Sequence, residues 1–323
     1  MSQLRKNSIT GEWVVFAENR HHKPYHFRHR HEVTETGSED CPFCPGHEDQ
    51  TPPETDRLPS QGPWQVRVFP NKYPAMTAEK TAEKTDGFYE SLPGWGAHRV
   101  LVDTPVHTQG PEQFSLEHWQ EVFTVLARQQ LELEQKARYV QIFKNNGPMA
   151  GASVPHSHWQ MLSSPVILPR QERTLEHLQS AKKEQGVCLY CAMGAHEAKL
   201  GDRMVAENDS FWAFVPYAAR FAFEIWVLPK RHVPTFPALT TQERWDLAKI
   251  TKELLLRVKA LRPGMDYNLC LEDSPVGPER KLFHWHLEIL PRMGALAGFE
   301  YATASFLNPV LPETAAAVLR EKA

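Results

Sequence analysis

No apolar run in this chain of 323 residues reaches the length of a membrane span, so no membrane partner is expected. The first residues, MSQLRKNSITGEWVVF, lack the apolar core of a secretory signal, and the expected location is cytoplasmic. An excess of positive charge is also missing. A net charge of −3 argues against a non-specific nucleic-acid binder, although it leaves room for a local basic pocket that takes one phosphorylated metabolite. Cysteine is scarce, and four of the five fall in two CxxC pairs, Cys41/Cys44 and Cys188/Cys191, with Cys270 alone. In a cytoplasmic chain such pairs read as metal or redox centres before disulfides. Neither pair sits in the strand-then-helix pattern of a thioredoxin-like redox centre, which leaves zinc as the expected ligand. What is present is ordinary for a soluble globular protein, with 41% hydrophobic and 23% charged residues and enough length for two domains. Histidine, at sixteen, is plentiful.

The stretch NNGPMAGASVPHSHWQ, residues 145–160, sets two of those histidines in an HxHxQ pattern. Its polar residues His156, His158 and Gln160 recur at strand spacing, so an extended run projects all three from one face and Ser157 and Trp159 from the other. Burying three unpaired polar groups would cost a few kcal/mol each, about 2 or more, so such a face calls for a chemical reason. The alternative for a lone HxH is an exposed strand that carries histidines by chance.

The rest of the chain repeats one order of elements twice. Each half runs CxxC, strands, a histidine at a strand end, an amphipathic helix, a further strand, and HxHx(Gln/Glu). The helices are read at 115–138, with Ser115 as cap, and at 240–261, with Thr240 or Thr241 as cap and Glu243 in the first turn. Cys44, His107 and His156 are separated by 63 and 49 residues, and Cys191, His232 and His284 by 41 and 52. The duplication thus yields two Cys2His2 candidates, Cys41, Cys44, His107, His156 and Cys188, Cys191, His232, His284. Four protein ligands with no vacant position make a structural zinc site. For His107 and His232 the competing reading is a satisfied surface histidine.

With His156 committed to metal, His158 is left beside an anchored neighbour and free to react. A neutral imidazole is nucleophilic and leaves readily from phosphorus, which suits transfer in two steps through a covalent intermediate. Such transition states need positioning and neutralised oxygen charge above all. Gln160, the turn at Asn145, Ser153 and the cations Arg20 and Lys23 are the candidate donors. In the second copy His286 and Glu288 take the corresponding places, and an acid there would repel phosphate, so that copy reads as non-nucleophilic.

The runs SITGEWVVFAENRHHKP, CPFC, FPNKYPAM, KNNGPMAGASVPHSHWQ, VPYAARFAFEIWVLPKRH and FHWHLEILPR, taken together, resemble the galactose-1-phosphate uridylyltransferase family of the histidine-triad superfamily along essentially the whole chain. The resemblance implies an α+β fold of two duplicated histidine-triad-like domains, expected at 1–168 and 169–323, each an antiparallel sheet with flanking helices, in a homodimer. It implies ping-pong chemistry in which His158 takes the nucleotidyl group from a nucleotide sugar, releases sugar 1-phosphate and passes the group to a second acceptor. It further assigns Asn71, Asn145, Ser153 and Gln160 to the nucleotide and its phosphates, Arg20 and, in place of a second arginine, Lys23 to phosphate, and Glu300 to the hexose. Ser157 stands where the best-known members have proline, and Phe306 where they have glutamine. The HSH form and the AGFE…NPV tail are similar to a sub-branch of ADP-glucose phosphorylases. Three readings stay open: uridylyl transfer between UDP-glucose and a hexose 1-phosphate, ADP-glucose phosphorolysis with phosphate as acceptor, and a zinc-stabilised nucleotide-binding protein without catalysis. Zinc is expected in both metal sites, with iron as the alternative in the second.

Overall fold

The computed structural model describes residues 37–78 and 87–322, together with the strand backbones at 2–6, 13–17 and 84–85. The first half holds β1 (Ser2–Lys6), β2 (Trp13–Ala17), β3 (Asp56–Leu58), β4 (Val66–Pro70), β5 (Lys84–Thr85), β6 (Glu90–Pro93), β7 (His98–Val102), α1 (Leu116–Glu134), β8 (Tyr139–Asn146) and β9 (His158–Ser164). The second half holds α2 (Pro169–Gln185), α3 (Leu189–Leu200), β10 (Met204–Glu207), β11 (Phe211–Phe214), β12 (Ile225–Pro229), α4 (Thr241–Lys259), β13 (Tyr267–Glu272), β14 (His286–Pro291), α5 (Gly298–Thr303) and α6 (Pro312–Glu321). The caps read from the sequence are in place: Ser115 Oγ accepts from His118 N–H, and Thr240 and Glu243 form a reciprocal capping box.

β2, β1, β6 and β5 form a small four-stranded sheet. The other strands form one sheet of ten, in the order β10-β11-β12-β14-β13-β8-β9-β7-β4-β3, with every strand pairing antiparallel. Each half therefore contributes five strands in the same relative order, β3-β4-β7-β9-β8 and β10-β11-β12-β14-β13. The two join edge to edge through β8 and β13. An unpaired edge strand at either place would leave a row of backbone donors and acceptors without partners, and each edge satisfies the other. Phe143 faces Gln160 in the first half, Cys270 faces Glu288 in the second, and Phe143 faces Cys270 across the join. An approximate two-fold axis therefore passes through the Phe143–Cys270 pair.

One hydrophobic core runs across both halves. Trp159 and Met161 of β9, Val140 and Ile142 of β8, Leu269 and Leu271 of β13, and Leu287 and Ile289 of β14 point into it beneath α1 and α4. Strand alternation sends the intervening residues, among them His158, Gln160, Glu272, His286 and Glu288, to the opposite face.

Candidate metal centres and active site

The first Cys2His2 set converges. Cys41 Sγ lies 3.6 Å and Cys44 Sγ 3.5 Å from His156 Nδ1, and Cys44 Sγ lies 3.3 Å from His107 Nδ1. In the second set Cys191 Sγ lies 3.6 Å from His232 Nδ1 and 3.4 Å from His284 Nδ1. The four candidate ligand atoms of each set all fall within 4.8 Å of one another. A tetrahedron with zinc–sulfur bonds of about 2.3 Å and zinc–nitrogen bonds of about 2.0 Å has sulfur–nitrogen edges of about 3.5 Å, so both sets fit the metal. The ring nitrogens turned away from the centres are held as well: His156 Nε2 donates to Thr104 O at 2.7 Å and His232 Nε2 to Lys281 O at 3.1 Å. Cys188 immediately precedes α3, so the second CxxC does open a helix, but that helix follows α2 and not a strand. The loop behind the first pair is pinned by the buried Arg67, which donates to Glu54, Thr51 Oγ1 and Glu48 O.

The HSH run is less regular than its spacing suggests. β9 begins at His158, and His156 lies in the bend that precedes it. In this bend the carbonyl of His156 accepts from His158 Nδ1 at 2.8 Å. A carbonyl only accepts, so the proton of the His158 ring sits on Nδ1 and the Nε2 lone pair is open. His158 is buried, and burial pushes its ring down to about 4, which keeps the imidazole neutral at pH 7. Phe43, between the two cysteines of the first pair, packs edge-on against it with ring centroids 5.2 Å apart.

Beneath this segment sits Lys144, wholly buried on the core face of β8. Its Nζ donates to Asp103 Oδ2 at 2.8 Å, Ser157 Oγ at 2.7 Å and His158 O at 3.3 Å. Ser157, between the two histidines, thus accepts a hydrogen bond from a buried cation. Gln160, half-buried two residues beyond His158 on the same face, accepts through Oε1 from His98 Nε2 at 3.0 Å. Asn71 Nδ2 lies 3.3 Å from the same ring nitrogen, and Asn145 Oδ1 accepts from Asn268 Nδ2 at 2.8 Å.

In the second half the equivalent face is filled from within. Arg170 bonds Glu288 at 2.6 Å and Glu272 at 3.0 Å, and Arg220 bonds Glu288 at 2.7 Å and Glu224 at 2.8 Å. Against the upward push of burial, Glu288 is held well below the usual carboxylate range by the neighbouring His286 ring, whose Nε2 lies 3.6 Å away, and by the two guanidinium groups. Internal carboxylates occupy these arginines, consistent with a non-nucleophilic copy. Cys270, beside them on β13, is half-buried and pushed up to about 12 by burial.

Of the residues singled out in the sequence, the members of each metal set come together, and His158, Gln160, Asn71, which accepts from Tyr73 N–H, and Asn145 each have a named partner. Ser153 is exposed in the loop before Pro155. Glu300 bonds backbone N–H groups of its own tail, Ala297 at 3.0 Å and Leu307 at 3.3 Å. Arg20 and Lys23 lie outside the described residues. Phe43, His98, Asp103, Lys144 and Asn268 were not anticipated. Lys144 carried a signal, since Val140, Ile142 and Lys144 share one face of a strand by alternation and the first two are apolar. His98 and Asp103 carried none, because their partners come from other strands.

Residues 1–168 match the family described as galactose-1-phosphate uridyl transferase, N-terminal domain, and residues 173–321 match the corresponding C-terminal domain. An ADP-glucose phosphorylase of Arabidopsis thaliana is 32% identical over 99% of this chain and 92% of its own. A galactose-1-phosphate uridylyltransferase of Thermotoga maritima is 28% identical over 99% of this chain and 98% of its own. The crystal structure of an ADP-glucose phosphorylase from Arabidopsis thaliana with bound ADP-glucose superposes with a TM-score of 0.79 at 31% identity, covering 99% of each chain. The matches together span nearly the whole chain, and the protein belongs to the galactose-1-phosphate uridyl transferase family.

Proposed function

We propose that this enzyme transfers a nucleotidyl group from a nucleotide sugar through a covalent intermediate on His158. Its relatives are nucleotidyl-transferring enzymes, and the observation that carries the reading is the neutral His158 ring, with Nδ1 tied to the His156 carbonyl. The Nε2 lone pair attacks the α-phosphorus, the bond from phosphorus to the bridging oxygen breaks, and sugar 1-phosphate leaves with the electron pair. A phosphate monoester is a good leaving group, so no general acid is required. The ring then carries a positive charge, which the His156 carbonyl stabilises through the Nδ1 proton. An oxygen of the second phosphate acceptor attacks in turn and regenerates the neutral ring. Gln160 donates to the phosphate oxygens, with Arg20, Lys23, Asn71, Asn145 and Ser153 as further nucleotide or phosphate contacts and Glu300 as the hexose contact. The two Cys2His2 groups would hold zinc, with iron as the alternative in the second, and a closed tetrahedral site supplies rigidity and no open coordination position.

Uridylyl transfer from UDP-glucose to a hexose 1-phosphate such as galactose 1-phosphate is the main reading, supported by the family and by relatives named for that activity. Phosphorolysis of ADP-glucose is the second, favoured by the 32% identity to a plant ADP-glucose phosphorylase and by Ser157 between the histidines. UDP-glucose and ADP-glucose labelled in the α-phosphate, offered separately, distinguish them by the label retained on denatured protein. Retention from one names the base, and a chase with galactose 1-phosphate or phosphate names the acceptor. No retention from either leaves a zinc-stabilised binding protein. A homodimer is supported by the exposed apolar residues of the C-terminal tail, Phe299, Tyr301, Leu307 and Leu311 among them. None of the described helices is long and apolar enough to cross a membrane.

A further inference from the structure

Hydrogen bonds among the described residues around His98 decide which end of the Gln160 amide faces the substrate. The backbone N–H of Ala75 lies 3.1 Å from His98 Nδ1. A backbone N–H can only donate, so Nδ1 holds a lone pair and the ring proton is on Nε2. That nitrogen lies 3.0 Å from Gln160 Oε1, which is therefore the acceptor. The Asn71 amide is fixed independently, because its Oδ1 accepts from Tyr73 N–H at 2.9 Å. Its Nδ2, 3.3 Å from the same ring nitrogen, is then a donor facing a donor, a close approach and not a bond. With its oxygen held by His98, the Gln160 amide turns its NH2 away from the ring, and that nitrogen bonds nothing among the described residues.

We infer that His98 is a positioning residue for the transfer reaction: as the Nε2–H tautomer it locks the Gln160 amide with its two N–H donors presented to the anionic phosphate of the nucleotide sugar. The inference rests on the nucleotidyl-transfer reading above. A glutamine amide free to rotate would half the time set its carbonyl dipole against a phosphate oxygen, and charge build-up in the transition state would sharpen the penalty. His98 is almost fully buried on β7, so its ring is held by packing as well as by Ala75. The lock is thus built into the sheet before any substrate arrives.

Two measurements test it. Imidazole nitrogen–proton correlation spectra of the intact protein, with the His98 signals identified by their loss in His98→Phe, are expected to show a protonated Nε2 and an unprotonated Nδ1. The opposite tautomer would overturn the proposal without reference to catalysis. In the second, formation of labelled His158 is followed under single-turnover conditions in wild type, His98→Phe, Gln160→Ala and the double variant. His98→Phe is expected to slow label transfer about ten- to a hundredfold in the wild-type background, while nucleotide-sugar affinity moves by less than about threefold. In the Gln160→Ala background the same change is expected to matter by less than about twofold, because nothing is left to orient. Additive losses would show that His98 acts on general structure and would overturn its role. Absence of label in the wild type itself would overturn the transfer reading and this proposal with it, whereas label with additive losses would remove only the role of His98.

Discussion

The Nδ1 atom of His158 lies 2.8 Å from the carbonyl oxygen of His156, the residue that also offers its own Nδ1 to the first metal group. One backbone segment thus holds a ligand with its side chain and sets the tautomer of the next histidine with its carbonyl.

Replacement of His158 by asparagine is expected to abolish nucleotide labelling, lowering it by a factor of about a thousand or more. Denaturant midpoints should move little, since an amide can still donate toward His156 O. Normal turnover by His158→Asn would remove this histidine as nucleophile.

Cys41→Ser and Cys188→Ser should each remove one of the two metal groups. Metal content measured on the purified variants is expected to fall by half in each case, with a lowered melting temperature, because four-ligand sites contribute directly to folding. Cys41→Ser should in addition impair labelling, through His156 and Phe43, whereas Cys188→Ser should do so less. A Cys188→Ser protein with full metal content would exclude the second site.

Lys144→Met leaves Asp103 buried with its charge unpaired, since neither side chain of the pair has measurable exposure. Removing one partner of such a pair costs about 3 to 5 kcal/mol. Urea unfolding should record that loss, and Lys144→Met combined with Asp103→Asn should recover part of it. Equal stability of the single variant and the wild type would show that the pair is not formed.

The carboxyl of Glu243 is held down from 4.5 to about 2, chiefly by its hydrogen bond with Arg231 and then by the Thr240 N–H and hydroxyl, against burial. Its folded-state value lies below its unfolded value, so the stabilisation is full above about 4.5 and is lost as the pH falls toward about 2. Glu243→Gln should therefore cost about 1 kcal/mol at neutral pH, a typical value for a helix cap. The gap between the two proteins should narrow as unfolding is repeated at successively lower pH. A gap independent of pH would assign the effect to shape and not to charge.

Much of this architecture was legible in the residue order. Helical periodicity with Ser115 and Thr240 as caps placed α1 and α4, because a cap is a local interaction between residues three apart. The repeated order of elements located both Cys2His2 groups, since a duplicated fold places the same ligands at similar intervals. The strand reading of HxHxQ held from His158 onward and failed at His156, where Pro155 and the metal group hold the backbone in a bend. β3, with three residues, and α3, with its low amphipathic contrast, left too little pattern to read.

By itself the sequence determined the local elements, the duplication and the two groups of residues able to ligate metal, all of which depend on spacing along one chain. Only the tertiary structure decided that the two halves fuse through β8 and β13 into a single sheet. It alone revealed that Lys144 grips Ser157 from the core, that Arg170 and Arg220 are already occupied by Glu272 and Glu288, and that Ala75 sets the ring of His98. Those relationships join residues from different strands and loops, and which donor meets which acceptor across a sheet depends on register and pleat, which pairing fixes and no single segment encodes.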